Sequence, residues 1–510
     1  MSSFDGGATR PPYPRGTPAA PLRSAAVGPL SLRSEVRCST ARARAAVAGA
    51  CGAAVLFLLG CGSDDTEPSP VATCAYAIGD SCVGVPLEPI CAADTCADGV
   101  TCTQTVVVGD PSELAAATAA ASSGSCIVLL PGSYAAIGVA GGVSVLGRGT
   151  DFVTVAGLTL GSGDASVVRG LSVRGTGLHI DGATNVRLEA VRVSESSGDG
   201  IALGEGSSAT LVHSEVIASA NAGVRASDVT QLTVQGSVVA DSTGPGIIAA
   251  CAAGCTCPSK PAVALEHTIV RNNAHVGAAL AGVTATFTDV QIQKTRVKDL
   301  QANSGGGFVV SACSALTATR LDVSDNDFFG MLVDDSSAKL GTPGEENGII
   351  LHGNVLGLWF QGKKSSGELD GLDVYENEGV GIGTGGETNG IILHGSQIRG
   401  TAAKTLVVDN GGSKQVGDGL LWTGASKVVI DGLKVSKSAR QGVLIDGSVA
   451  AGSSVANVTL AEGDEQHGML QQSVDATGTA PEVGAGAPTL MSDTQEVYPI
   501  PVPPAAPKGL

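Results

Sequence analysis

Residues 197–250 read SGDGIALGEGSSATLVHSEVIASANAGVRASDVTQLTVQGSVVADSTGPGIIAA. Three times a polar run ends in a glycine (Gly200, Gly223, Gly246) followed by an apolar–x–apolar triplet, and these glycines stand 23 residues apart. Working outward, the unit recurs at Gly277, Gly307, Gly330, Gly357, Gly381, Gly419, Gly442 and Gly468, with spacings of 31, 30, 23, 27, 24, 38, 23 and 26. A base period of 23 to 24 residues, lengthened by variable insertions, marks a solenoid whose repeats bury their apolar edges on one another. The heptapeptide NGIILHG occurs at 347–353 and again at 389–395, a separation of 42 residues that suggests about two coils.

Side chains alternate across a strand, so positions one and three after each glycine share a face. They read Ile201/Leu203, Val224/Ala226, Ile247/Ala249, Ala278/Leu280, Phe308/Val310, Met331/Val333, Leu358/Phe360, Ile382/Thr384, Leu420/Trp422 and Val443/Ile445. Stacked at about 4.8 Å per coil, these form apolar interior ladders. Asn326 and Asn377, just before their glycines, are expected to bond to backbone at the coil corners.

The intervening outward row reads Ala202, Arg225, Ile248, Ala279, Val309, Leu332, Trp359, Gly383, Leu421, Leu444 and Leu470. Water-facing strands are usually polar there, so this stripe meets either a cover or a partner. The cover would be coil insertions or the proline-rich tail. The alternative is a binding groove on Leu332, Trp359 and Leu421, with Trp359 as a platform for sugar rings.

Asp110-Pro111-Ser112-Glu113 combines a helix cap, a first-turn proline and a capping-box acid, and the helix running to Ala121 would close the end of the stack. CIVLLPGSY (126–134) and GVSVLGRG (142–149) follow. This opening resembles the first turn of pectin-lyase-like β-helices. The resemblance implies an all-β, right-handed parallel β-helix with an N-terminal capping helix over residues 105–475. The variable insertions suit a right-handed coil better than the strict hexapeptide rhythm of a left-handed one.

Members of that superfamily with known chemistry are mainly polygalacturonases, pectate lyases and related polysaccharide enzymes. Ser197–Ile201 lacks the second carboxylate of the polygalacturonase Gly-Asp-Asp step, and no Arg-Ile-Lys follows His352-Gly353 or His394-Gly395. Beyond Asp199 the next carboxylate in its row is Asp418, whereas acid–base hydrolysis needs two carboxyls within about 5–10 Å. A lyase would need a calcium cluster and a basic residue. Asp322, Asp325, Asp327, Asp334 and Asp335, near Lys339, Lys363 and Lys364, form the candidate Ca²⁺ site, and acids at solvated bends are the other reading. No cofactor is required.

Ahead of the coils, Arg42 and Arg44 precede an apolar run ending in FLLGCGSDD. Its core is too short for a membrane span and suits a signal peptide. Leu58-Leu59-Gly60-Cys61 resembles the bacterial lipobox, which implies a lipoprotein acylated at Cys61. The expectation is an exported protein, lipid-anchored in the bacterial envelope, at the outer membrane or cell surface. Cys74, Cys82, Cys91, Cys96 and Cys102, with Cys126 beyond, read as a disulfide-stapled spacer, and zinc is the competing reading. Cys251, Cys255, Cys257 and Cys313 are expected to pair and pin loops.

The domain plan is therefore a leader and signal peptide (1–60), a linker and Cys-rich module (61–104), the β-helix (105–475) and an extended Pro/Ala-rich tail (476–510). Seventy-two glycines with 3% aromatic and 15% charged residues exclude an ordinary globular enzyme, and the positive mean hydropathy of +0.24 excludes disorder throughout. Residues 1–60 hold seven Arg and two acids, which leaves 23 basic against 46 acidic residues from Cys61 onward, a balance of −23. That opposes nucleic acid as a partner, and limits the membrane to the lipid anchor. The favoured function is a non-catalytic binding or adhesion surface for glycan or an envelope or surface protein. A polysaccharide lyase or glycoside hydrolase, and a purely structural envelope component, are the alternatives.

Overall fold

The triplets after the marker glycines become strands that hydrogen-bond in parallel, coil upon coil, into a 15-stranded sheet. A computed structural model describes residues 76–79, 81–86, 99–297, 305–345, 348–408, 412–461, 463–464, 468–474 and 478–504. The chain divides into units 1–69 and 70–510, and every described residue belongs to the second. Cys61, Cys74, Cys91 and Cys96 lie outside the described residues.

Register in the sheet follows the alternation. Ile201, Val224, Ile247, Ala278, Phe308, Met331, Leu358, Ile382, Leu420, Val443 and Met469 are successive partners. All are buried. The marker glycines themselves answer to close packing. A Cβ on Gly330 would lie 2.6 Å from the Gly357 carbonyl oxygen of the next coil and 2.9 Å from Asn354 Nδ2.

A second, 25-stranded sheet makes the other two legs of each coil. Its later leg buries Val173, Val193, Val216, Val239, Val270, Ile292, Val323, Leu351, Val374, Ile398, Val435 and Leu460 in unbroken register. Each such burial contributes about 1.5–3 kcal/mol, so the fold is held by repetition of one apolar rung. At the corner after this leg, Asn326, Asn354 and Asn377 stack as a ladder. Asn354 Oδ1 accepts the Asn326 N–H at 3.1 Å, Asn377 Oδ1 accepts the Asn354 N–H at 3.0 Å, and the Asn377 amide donates to the Leu351 carbonyl at 3.0 Å. These asparagines replace backbone partners that the turning chain cannot supply.

The stack is capped as its sequence foretells. A 3₁₀ turn, Pro111–Glu113, leads into the helix Leu114–Ala120, and both halves of the capping box are made. The sheet begins before the first marker glycine, with Ile137–Val139, Leu158–Leu160 and Leu178–Ile180. At the other end Glu482–Val483 and Leu490–Ser492 pair with the preceding coil. The boundary at residue 475 is thereby corrected, because the coils continue to Ser492 and the extended tail starts only after it. The two NGIILHG copies do not stack either. Ile349–His352 pairs with Leu372–Tyr375 on the later leg, whereas Ile391 pairs with Gly367 on the earlier one.

Cys102–Cys126, Cys251–Cys257 and Cys255–Cys313 are disulfides, and Cys82 is also disulfide-bonded. The neck is more than a spacer. Its hairpin, Tyr76–Ile78 with Ser81–Val83, packs on Val238, Ala240 and Ile269, and the Arg271 guanidinium lies 4.5 Å from the Tyr76 ring centroid. Gly84 donates to the Gly236 carbonyl at 2.8 Å, and Val85 donates to the buried Glu215 carboxylate at 3.1 Å. The neck thus covers the outer face of the later leg over these coils.

Candidate functional site

The apolar stripe forms as expected and is then covered. Leu332, Trp359 and Leu421 are each 0% exposed. They belong to a second apolar core with Val309, Phe329 and Leu444, roofed by Val408 and Val416 and by Ile500 of the tail. The open groove with Trp359 as a sugar platform is corrected. The burial has a local cause, since Trp359 lies over Gly383 of the next coil, where a Cβ would come within 2.4 Å of its Cε3. Glycine in the stripe makes room for the indole.

The five acids of the proposed calcium site do not converge. Asp327 holds Arg296 (2.8 Å) and the Val297 N–H (2.9 Å), and Asp325 turns the corner at φ 55°. Asp334 ends the six-residue strand Phe329–Asp334 and Asp335 follows it, about 17 Å from the strand's start at the usual rise per residue. Asp335 instead accepts the Lys364 N–H at 3.1 Å. Among the described residues, no three His, Cys, Asp or Glu side chains are grouped to hold a metal ion. Nearness in sequence was divided between two corners of one coil.

Many remaining exterior carboxylates are paired with a cation from a neighbouring coil. Asp199 binds Arg225 at 2.8 Å, Glu215 binds Arg192 at 2.8 Å, Asp373 binds Arg399 at 2.9 Å and Glu368 binds Lys339 at 2.8 Å. Lys363 pairs with Glu387 at 2.8 Å. These pairs stitch one rung to the next.

The outer face of the later leg beyond the neck gathers further polar side chains around one of these pairs, Asp373 with Arg399. Here Ser324, His352, Tyr375 and Arg399 are successive partners in one outward row, and Asp322, Ile350, Asp373 and Gln397 are partners in the adjoining row, which Lys434 extends. The His352 and Tyr375 rings stack at 4.6 Å and 4°, and the Arg399 guanidinium lies 4.0 Å above Tyr375. Asp373, itself buried, receives Arg399 through both oxygens, at 3.2 and 2.9 Å. Asp322 Oδ1 lies 3.6 Å from His352 Nε2. Burial, opposed by His352, raises the Asp322 carboxyl above the ordinary carboxylate range. Burial, then the charges of Asp322 and Asp373, raises the Tyr375 hydroxyl.

Beside this column lies a cleft of about 240 Å³ lined by Glu376, Gln397, Arg399, Lys434, Ser436 and Lys437, among others. A neighbouring cleft of about 210 Å³ shares Gln397 and Lys434. Together they form one polar furrow across consecutive coils. Sequence reasoning missed it by following only the strand after the marker glycine. The signal was present: His352, Tyr375 and Arg399 are separated by 23 and 24 residues, the base period of the coil.

Residues 142–341 match the family model described as right handed beta helix region. The solenoid is a right-handed β-helix. The resemblance to pectin-lyase-like coils therefore holds at the level of fold. No curated protein sequence matches the chain significantly. Among solved structures, pectate lyase Pel9A is similar at 14% identity over 55% of this chain and 79% of that one, with a TM-score of 0.34. The A-module of the mannuronan C-5 epimerase AlgE6 from Azotobacter vinelandii shows 13% identity over 74% and 96%, TM-score 0.37. PfbA, a surface adhesin of Streptococcus pneumoniae, shows 12% over 64% and 87%, TM-score 0.33. Enzymes and an adhesin thus stand side by side in these comparisons, and none transfers its activity to this β-helix.

Proposed function

We propose that this β-helix is a non-catalytic binding or adhesion surface of the bacterial envelope that takes glycan in the polar furrow on its later leg. The observation that carries the reading is the joined pair of clefts, whose donors and acceptors come from successive coils. Repeated polar side chains at about 4.8 Å suit an extended polymer rather than a small metabolite. The rung-to-rung ion pairs weigh against catalysis, because a paired carboxylate is neither a ready acid nor a ready base. The protein reaches the surface through acylation of Cys61, and loss of palmitate labelling in Cys61→Ala cells tests that part. A glycan array tests the rest. Lys434→Ala and Gln397→Ala should each weaken the array signal by about tenfold, the scale of a lost charged or polar contact, and unchanged binding in both would remove the furrow from the account.

A second reading, a polysaccharide lyase or hydrolase, is favoured by Asp322 beside the His352–Tyr375 column. Asp322 is pushed toward its acid form beside a ring nitrogen, an arrangement usable in proton transfer. Reducing-end and unsaturated-product assays over uronic-acid and neutral glycans decide it. Turnover that disappears in Asp322→Asn would establish catalysis in place of mere holding.

A further inference from the structure

The tail that covers the apolar stripe is bound in an unusual manner. Residues 498–504 read YPIPVPP, with proline at 499, 501, 503 and 504. Proline has no N–H and favours the extended polyproline conformation, so such a segment presents carbonyl acceptors and few donors. The surface beneath presents the complement. Arg440 Nη1 donates to the Pro499 carbonyl at 2.8 Å, and Gln472 Nε2 donates to the Tyr498 carbonyl at 2.6 Å. The two N–H groups the segment offers at its start, on Val497 and Tyr498, both go to Gln472 Oε1, at 3.1 and 2.7 Å. Ile500 drops into the apolar floor beside Val408 and Leu421, and Val502 donates to the Val407 carbonyl at 2.9 Å.

One donor in this groove is left over. Trp359 Nε1 is fully buried and has no hydrogen-bond partner among the described residues. It faces the place where the tail crosses Gly385, since a Cβ on Gly385 would lie 2.9 Å from Trp359 Nε1 and 2.9 Å from Pro503 Cγ. A buried, unsatisfied N–H costs about 1–3 kcal/mol, so the native tail fits the groove incompletely at that point. Arg440 is itself built in: it is paired with the fully buried Asp418 and lies 5.3 Å from the Tyr498 ring centroid.

We propose that this groove, floored by Leu332, Trp359 and Leu421 and gated by Arg440 and Gln472, is a receptor for proline-rich extended peptides, and that the chain's own tail is its resident ligand. A proline-rich segment of another molecule exchanges with the tail, and one that places a carbonyl opposite Trp359 Nε1 binds better than the tail does. Recognition is by carbonyls and alternate apolar side chains, a mode common to polyproline receptors.

The test uses the synthetic peptide YPIPVPPAAP and a control with every proline replaced by alanine. Three forms of the chain are compared: full length, full length carrying Ile500→Ser, and a truncation ending at Val497. Ile500→Ser keeps the folded chain intact should the truncation fail to fold. The expected result is that Ile500→Ser and the truncation bind the proline peptide at least tenfold more tightly than the unaltered chain, with a shift in tryptophan emission that is absent in Trp359→Phe. The control peptide should bind none of them. Equal affinity for all three chains, equal affinity for both peptides, or no binding to Ile500→Ser overturns the proposal.

Discussion

Two outward rows of the same solenoid met different fates. The row beside the 15-stranded sheet carries Leu332, Trp359 and Leu421 and lies under the tail, with no exposed surface at those residues. The row on the later leg carries Val238 and Ile269 under the neck hairpin, then passes to Asp322, Asp373, Gln397 and Lys434, where the furrow opens. Composition changes where the cover ends. Outward strand positions are therefore mostly apolar where another segment of the chain lies on them and mostly polar where water does, Ile350 being an apolar member of the open row. The stripe informs about the tail, and the furrow about what the molecule meets.

The contrast can be broken most severely at the two aromatic residues. Trp359→Ala should cost about 3–5 kcal/mol, the scale for a large buried aromatic side chain. Tyr375→Ala, on the open face, should cost about 1 kcal/mol or less, since only ring and guanidinium contacts are lost. Urea midpoints of the two variants measure the difference, and near-equal losses would mean that the tail does not seal the stripe. A smaller effect is expected at the corner ladder. Asn354→Ala leaves the Asn326 N–H without its acceptor and should cost about 1–3 kcal/mol, with protection from amide exchange reduced mainly at the neighbouring coils.

Smaller still is a pH effect at Asp334. Burial, then repulsion from Asp335, raises its carboxyl above the ordinary range in the folded chain. A raised folded value means that the folded state prefers the proton, so this contribution is present at low pH and lost as pH rises through the folded value. Asp334→Asn should therefore raise the thermal midpoint at pH 7 by about 1–2 °C, with the gain fading as pH falls through the raised folded value and absent below the ordinary carboxylate range of about pH 4. At the furrow, Lys434→Ala should leave stability within about 0.5 kcal/mol of the parent while weakening glycan binding, which sharpens the distinction between holding the fold and holding a ligand.

The inward ladders were legible because two periods agree there. Strand alternation sets which residues face inward, and the 23-residue rhythm sets which residues stack, so Ile201 through Val443 fall into register. The apolar stripe was equally legible as a row, but its cover was not. Trp359 and Ile500 share one apolar cluster, and no local pattern relates their positions. The acid cluster misled for the opposite reason, as the chain between Asp327 and Asp334 crosses a whole leg of the coil. The repeated NGIILHG misled because identical residues serve two different legs. The furrow escaped notice although its residues keep the base period, since a row is visible only once its strand has been placed.

Hydroxyl-radical footprinting of the folded, full-length chain tests most directly whether the stripe is sealed and the later leg open. Trp359 and Leu421 should stay unmodified while His352 and Tyr375 are oxidised, even though free tryptophan is the more reactive side chain. Modification of Trp359 at a rate equal to or above that of Tyr375 would contradict the account.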